Sequence, residues 1–215
     1  MLVTKPAPDF TATAIMPDNT FQEVSLSDYQ GKKVVLFFYP LDFTFVCPTE
    51  ILAFDHRLAE FQKRGVEILG VSVDSHFSHW AWKNTPTAKG GIGNVQYPLI
   101  ADLDKSIARN YDVLVGAEAA AIITDEEEEL NTTVGGGVAL RASFLIDEEG
   151  VIVHAVINNL DLGRNIDEML RMVDALSFFQ KQGQVCPAGW QTGDDGMEGS
   201  TDGVADYLSK NAEKL

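Results

Sequence analysis

The sequence predicts an α/β fold, a central sheet with helices on both of its sides. Two observations carry that prediction. Residues 33–39 and 66–73 are short apolar runs rich in β-formers, and the stretch between them changes to a helical period. Further on, two more strand-like runs meet at a turn and lead into a long amphipathic helix.

Each element has its own signal. Residues 33–39 read as a buried strand because Val34-Val35-Leu36-Phe37-Phe38-Tyr39 is apolar without interruption. From Pro48 onward, Ile51, Phe54, Leu58 and Phe61 fall at i, i+3, i+7 and i+10, and Gly65 supplies a stop. Residues 66–73 (Val-Glu-Ile-Leu-Gly-Val-Ser-Val) form a second buried strand, and such a strand–helix–strand crossover implies a parallel pair. Short helices are expected at 78–83 and 104–111, with a strand-like run at 97–100 between them. Residues 143–146 and 151–156 read as strands joined by the hairpin turn Asp147-Glu148-Glu149-Gly150. Residues 164–180 place Ile166, Met169, Leu170, Val173 and Leu176 on one helical face, and 204–214 form a weak terminal helix. Residues 116–138 break the pattern with an alanine-rich piece, the run Asp125-Glu126-Glu127-Glu128-Glu129 and Gly135-Gly136-Gly137. They read as a solvated, mobile surface insertion.

A chain of 215 residues suits one large domain with an ordered tail, here 1–180 and 181–215. Its net charge of −16, from 32 acidic against 16 basic residues, repels nucleic acid and anionic membranes. No stretch approaches the roughly 20 apolar residues that span a bilayer. The start, Met1-Leu2-Val3-Thr4-Lys5-Pro6, lacks the basic cluster and apolar core of a signal peptide, so a cytoplasmic location is expected. Two cysteines are too few for a disulfide framework or a four-cysteine zinc site. Free thiols, a regulatory pair or a catalytic pair remain.

The two cysteines differ in setting. Cys47 follows an apolar strand and a short turn, and Pro48 is the residue type found at the first helical position, which makes Cys47 the expected cap. Unpaired N–H groups and the helix dipole there favour a negative sulfur, and the thiolate is the nucleophile, a free cysteine having a pKa of about 8.5. Thr44 stands three residues earlier, at the offset of a Cys-x-x-Cys motif, so a hydroxyl replaces the local partner sulfur. Cys186 lies in a Gly/Pro-rich segment, Val185-Cys186-Pro187.

Pro40-x-x-x-Thr44-x-x-Cys47 followed by Pro48-Thr49-Glu50 resembles the active-site signature of peroxiredoxins. Val185-Cys186-Pro187-Ala188-Gly189-Trp190 is similar to the resolving-cysteine segment of their typical two-cysteine class, which includes alkyl hydroperoxide reductase peroxidase subunits. The likeness extends to Asp74-Ser75-His76-Phe77-Ser78-His79-Trp80-Ala81-Trp82, the segment around Arg141, and Gly163-Arg164-Asn165-Ile166-Asp167-Glu168. The resemblance implies a thioredoxin-like fold with a C-terminal extension and thiol-dependent reduction of hydrogen peroxide or organic hydroperoxides. It implies that Cys47 is the peroxidatic nucleophile, Thr44 hydrogen-bonds the peroxide, Pro40 shields the pocket and Arg141 stabilises the thiolate. Glu50 and Arg164 match the pair that orients that arginine, and Cys186 matches the resolving cysteine. It further implies an intersubunit disulfide, a homodimer assembling into a decamer, and recycling by thioredoxin or a dedicated flavoprotein disulfide reductase. No metal, haem or flavin is implied.

Some features depart from the pattern or stand outside it. Ala142 replaces a usual glycine. Gly90-Gly91-Ile92-Gly93 and Tyr207-Leu208 resemble, with one changed residue each, two motifs linked to over-oxidation sensitivity, which implies an intermediate sensitivity. His76 and His79 have metal-compatible spacing but no evident third ligand, so packing or surface roles are expected. Trp80, Trp82 and Trp190 read as core or interface residues. The rival functions are a thioredoxin-like disulfide carrier, which the Thr44 position opposes, and a redox-regulated holdase chaperone or sensor.

Overall fold

The structure is a computed structural model that describes residues 1–116 and 137–214. The chain forms two compact units, Met1–Arg164 and Asn165–Leu215. The first contains strands β1 (Thr11–Ile15), β2 (Phe21–Ser25), β3 (Lys33–Phe38), β4 (Val66–Ser72), β5 (Leu99–Ala101), β6 (Leu114–Val115), β7 (Val138–Ala139), β8 (Arg141–Ile146) and β9 (Ile152–Asn158). Its α-helices are α1 (Cys47–His56), α2 (Leu58–Lys63), α3 (His76–Lys83) and α4 (Ser106–Asn110). The second unit holds α5 (Ile166–Gln182) and α6 (Thr201–Asn211).

Seven strands form one mixed sheet in the order β2-β1-β5-β4-β3-β8-β9. The pair β3/β4 is parallel, as the crossover pattern predicts, β4/β5 is parallel as well, and the remaining pairs are antiparallel. Every residue of β3 and β8 is buried, and burial on both faces is why β3 after Lys33 reads as an unbroken apolar run. The antiparallel register of β3 with β8, Val34↔Ile146 through Phe37↔Ser143, carries the first residue of β8, Arg141, toward the C-terminal end of β3. The chain leaves that same end for the loop into α1. Register alone therefore brings residues 47 and 141 to one end of the sheet.

Phe37 stacks on Phe54 at 4.3 Å between ring centroids and ties α1 to the sheet. Phe38, Tyr111 and Phe144 form a second aromatic cluster in the core, with centroids 5.1–5.9 Å apart. The β8–β9 hairpin turns at Gly150, whose φ of +81° suits glycine.

Three details differ from the sequence reading. The helical stretch after Cys47 is two helices, because Arg57 adopts φ −106°, ψ 2°, and its N–H bonds the Phe54 carbonyl at i−3. The break leaves Ile51, Phe54, Leu58 and Phe61 all buried. Val46, rather than Cys47, is the cap of α1, so Cys47 is the first helical residue and Pro48 the second. The β1–β2 hairpin at the N-terminal edge was not anticipated. Its signal is present in the alternation on either side of Asp18-Asn19, where Asn19 takes φ +66° and Asp18 accepts from the Thr20 backbone and hydroxyl. The expected insertion at 116–138 lies almost wholly outside the described residues, except that β6 and β7 pair across its ends, Leu114↔Ala139 and Val115↔Val138.

In the second unit, Asn165 caps α5 by accepting from the Asp167 and Glu168 N–H groups, and Gly183 at φ +70° ends it. The segment that follows is folded back by a Val185↔Met197 bridge and by Trp190, whose ring packs 4.9 Å from that of Phe178. Ser200 caps α6 through the Gly203 N–H.

Candidate active site

Cys47 is fully buried at the start of α1. Two donors point at its sulfur. The Thr44 hydroxyl lies 2.8 Å from Cys47 Sγ and also 2.8 Å from the Leu41 carbonyl. One hydroxyl has one proton, so the two acceptors compete for it, and an anionic sulfur is the stronger. Arg141 Nη1 lies 3.4 Å from Cys47 Sγ. The guanidinium thus faces the sulfur directly.

Arg141 is held on two other sides. Its Nη1 donates to Glu50 Oε2 at 2.8 Å and its Nε to the Leu160 carbonyl at 2.6 Å. Glu50 in turn accepts from Arg164 through Nε at 2.8 Å, Nη2 at 2.9 Å and the backbone N–H at 2.8 Å. Arg164 also donates from Nη1 to the Ala142 carbonyl and the Ser143 hydroxyl, and its guanidinium lies over the Phe37 ring. All three charged side chains are at most 4% exposed. Burial pushes the Glu50 carboxyl up, but the hydrogen bonds and charge of Arg164, with Arg141 behind it, outweigh burial and hold it below its ordinary value. The carboxylate takes one N–H of Arg141 Nη1 and leaves the other for the sulfur.

A second buried network anchors the loop between β3 and α1. The Asp42 N–H donates to Asp74 Oδ2 at 2.8 Å, and the Asp42 carboxylate meets the Tyr39 hydroxyl at 2.9 Å and His79 Nδ1 at 2.8 Å. His79 Nε2 faces the Ile100 carbonyl at 3.2 Å. Burial, and then the Asp42 charge, push the Asp74 carboxyl up. His79 is thus a packed core residue, and His76 stacks with Phe21 and Phe77 at the surface. No group of side chains suited to a metal occurs among the described residues. Within the anchored loop Phe43 takes φ +54°, a strained conformation for a bulky residue, with its ring 5.7 Å from that of Trp82. Trp82 is buried and donates its indole N–H to Gly90, and Gly91 packs so tightly on the Thr85 carbonyl that a Cβ would sit 1.8 Å from it. Pro40 is buried beside this loop.

The structure thus brings Thr44, Cys47, Glu50, Arg141 and Arg164 into one hydrogen-bonded cluster. Asp42, Leu160 and Ser143 are supporting residues the sequence reading missed, and His79, expected in a packing or surface role, supports the loop through Asp42. Asp42 had a signal: a carboxylate inside an otherwise apolar strand-to-helix turn has to find a partner. Leu160 acts through its carbonyl and had none.

Cys186 is in the second unit, half-buried, with Sγ 3.5 Å from the Ala175 carbonyl of α5. Burial pushes its thiol up, and the charge of Arg171 partly opposes that. Both cysteines are free thiols.

Residues 3–155 match the AhpC/TSA family, and residues 175–210, which include Cys186, match the C-terminal domain of 1-Cys peroxiredoxin. The chain is 54% identical to alkyl hydroperoxide reductase C of Helicobacter pylori over 217 aligned positions that span both proteins completely. It is 50% identical to peroxiredoxin-1 of Gallus gallus, covering 96% of this chain and 94% of that one. The reduced 2-Cys peroxiredoxin of Plasmodium vivax is 48% identical and superposes with a TM-score of 0.86, over 98% of this chain and 100% of that one. With a thioredoxin-like mixed sheet presenting a donor-bound cysteine at the head of a helix, and with these relatives along its whole length, the chain belongs to the AhpC/TSA family of peroxiredoxins and is a thiol-dependent peroxidase.

Proposed function

We propose that Cys47 attacks the terminal region of a hydroperoxide as its thiolate. Sulfur bonds to one peroxide oxygen, the O–O bond breaks, and the other oxygen leaves as alkoxide or hydroxide and takes up a proton. The protein is left with a sulfenic acid. Thr44 holds the bound peroxide, Arg141 stabilises both the thiolate and the charge on the departing oxygen, and Pro40 shields the pocket. Glu50 and Arg164 hold Arg141 at its angle. The observation that carries this reading is the convergence of Thr44 Oγ1 and Arg141 Nη1 on one sulfur, at 2.8 Å and 3.4 Å. Sulfur supplies both electrons, so the step calls for no metal, haem or flavin.

Cys186, in the extension 181–215 that follows the peroxidase domain 1–180, then condenses with the sulfenic acid to a disulfide between two subunits. Thioredoxin or a dedicated flavoprotein disulfide reductase reopens it. A homodimer is favoured by the position of β9 as the last strand of the sheet, where Ile157 is exposed. Assembly to a decamer is favoured by the exposed Phe21–His76–Phe77 cluster and by Phe45, 93% exposed in the Cys47 loop. No described helix is long and apolar enough to cross a membrane, and we place the enzyme in the cytoplasm.

The test is one equivalent of hydrogen peroxide followed by a non-reducing gel. Wild type should yield a disulfide-linked dimer, absent from Cys186→Ser and Cys47→Ser. A bridge confined to single chains would refute intersubunit resolution, and peroxide consumption by Cys47→Ser at the wild-type rate would refute the nucleophile.

A further inference from the structure

We propose that Arg171 is a positioning residue for the second chemical step, holding the Cys186 segment in place and supplying the positive charge that favours the attacking thiolate, with Glu168 setting how much of that charge the sulfur feels. This rests on the reading of Cys186 as the resolving thiol.

All the residues concerned lie within the second unit. Arg171 Nη1 donates to the Trp190 carbonyl at 2.8 Å, pinning the turn that begins at Cys186, where the Trp190 N–H closes back on the Pro187 carbonyl at 3.1 Å. The sulfur lies against the carbonyl of Ala175, four residues along α5 from Arg171 and therefore on the same helical face one turn away. Arg171 is thus tied to both ends of the arrangement: its helix carries the carbonyl against the sulfur, and its guanidinium holds the backbone beyond it. The other side of the fork is bidentate to Glu168, at 2.6 Å and 2.7 Å.

Two influences oppose each other at Cys186. Burial and the Ala175 carbonyl, which accepts the S–H, favour the neutral thiol. Arg171 favours the anion. Of the other charges on the elements around it, Asp174 accepts from the Thr192 hydroxyl and Glu198 from the Gln184 amide. Asp194 accepts from the Gln191 N–H. Lys181 stands in the last turn of the same helix, but Arg171 is the cation whose charge acts on the sulfur, and Glu168 partly neutralises it. The chemistry requires the anion. The Cys186 sulfur forms the S–S bond with its electron pair, the S–O bond of the Cys47 sulfenic acid breaks, and hydroxide leaves and is protonated to water.

Removing a neighbouring positive charge raises a thiol's pKa. Fewer thiolates are present at low pH, but each is a better nucleophile, with a Brønsted coefficient of about 0.4–0.5. For each tenfold loss of thiolate below the midpoint, Arg171→Gln slows resolution about threefold, and above the midpoint it speeds resolution by a similar factor. Glu168→Gln unmasks the guanidinium and shifts both in the opposite direction. The measurement is stopped-flow tryptophan fluorescence of reduced full-length protein after one equivalent of hydrogen peroxide, from pH 5.5 to 10, with the resolution phase confirmed by mass spectrometry of the Cys47–Cys186 peptide. The midpoint should rise in Arg171→Gln, fall in Glu168→Gln and return close to wild type in Arg171→Lys. Equal slowing at every pH with an unmoved midpoint in both Gln variants would overturn the proposal, leaving Arg171 a structural tie. If Arg171→Gln does not fold, the sign of the shift in Glu168→Gln decides. A wild-type protein that forms no Cys47–Cys186 peptide would instead overturn the assignment of Cys186 itself.

Discussion

At residue 44, a hydroxyl stands where a disulfide carrier would have its second sulfur, and at 2.8 Å it serves the first sulfur instead. Thr44→Val keeps the shape and removes the donor. Loss of one preorganised donor of this kind costs about 10²–10³ in rate, so stopped-flow oxidation of Cys47 should slow by that factor, while Thr44→Ser should stay within about tenfold of wild type. Glu50 supports a different prediction. Its carboxyl is held below its ordinary value despite burial, so the folded state binds that proton more weakly than the unfolded chain. The stabilisation is present above the unfolded value of 4.5 and is lost as pH falls through the lower folded value. Removing one partner of a buried charge network costs about 3–5 kcal/mol. In urea melts, Glu50→Gln should lose stability of that order at pH 7 and show a flatter acid limb below pH 4.5 than wild type.

Among the elements, α3 joins separate parts of the first unit, as α1 does through Glu50. His79 on one of its faces fixes Asp42 in the Cys47 loop, and Lys83 in its last turn donates to the Met16 carbonyl of the β1–β2 hairpin at 2.7 Å. Burial lowers the Lys83 pKa to about 8, with Asp18 and Asp55 opposing it. Between about 8 and 10.5 the unfolded chain holds this proton and the folded one does not, so stability rises with pH across that window. Urea midpoints taken from pH 7.5 to 10 should show that rise in wild type and lack it in Lys83→Met. At the C-terminal end, deleting residues 204–215 removes most of α6 and the Tyr207-Leu208 pair. The expected result is greater tolerance of excess peroxide, read as less sulfinic acid at Cys47 by mass spectrometry.

For the whole molecule, the proposed assembly rests on the last strand of the sheet, β9, and on the exposed aromatic residues around the Cys47 loop. Phe77 is 64% exposed on α3 and makes ring contacts with Phe21 and His76. Phe77→Glu adds a charge there without touching the core. If this surface builds the proposed assembly, sedimentation velocity should show Phe77→Glu as a smaller species than wild type at the same concentration. Equal sedimentation of the two proteins would remove Phe77 from the assembly surface.

The apolar runs at β3, β4, β8 and β9 were legible because strands buried on both faces, or paired through a tight turn, leave a local signature. The contact between Thr44 and Cys47 was legible for the same reason, since three residues and one helix start suffice to bring hydroxyl to sulfur. The β1–β2 hairpin, with its polar exposed strands, and the break at Arg57 left weaker marks. Arg141 and Arg164 stand 94 and 117 residues beyond Cys47, and nothing local ties them to it; only their likeness to a family pattern singled them out. Their meeting was decided by the antiparallel register of β3 and β8 and by the buried Glu50 that binds both guanidinium groups. The anchor of Asp42 on His79 was decided the same way, because a desolvated charge takes whichever partner the packed core sets beside it.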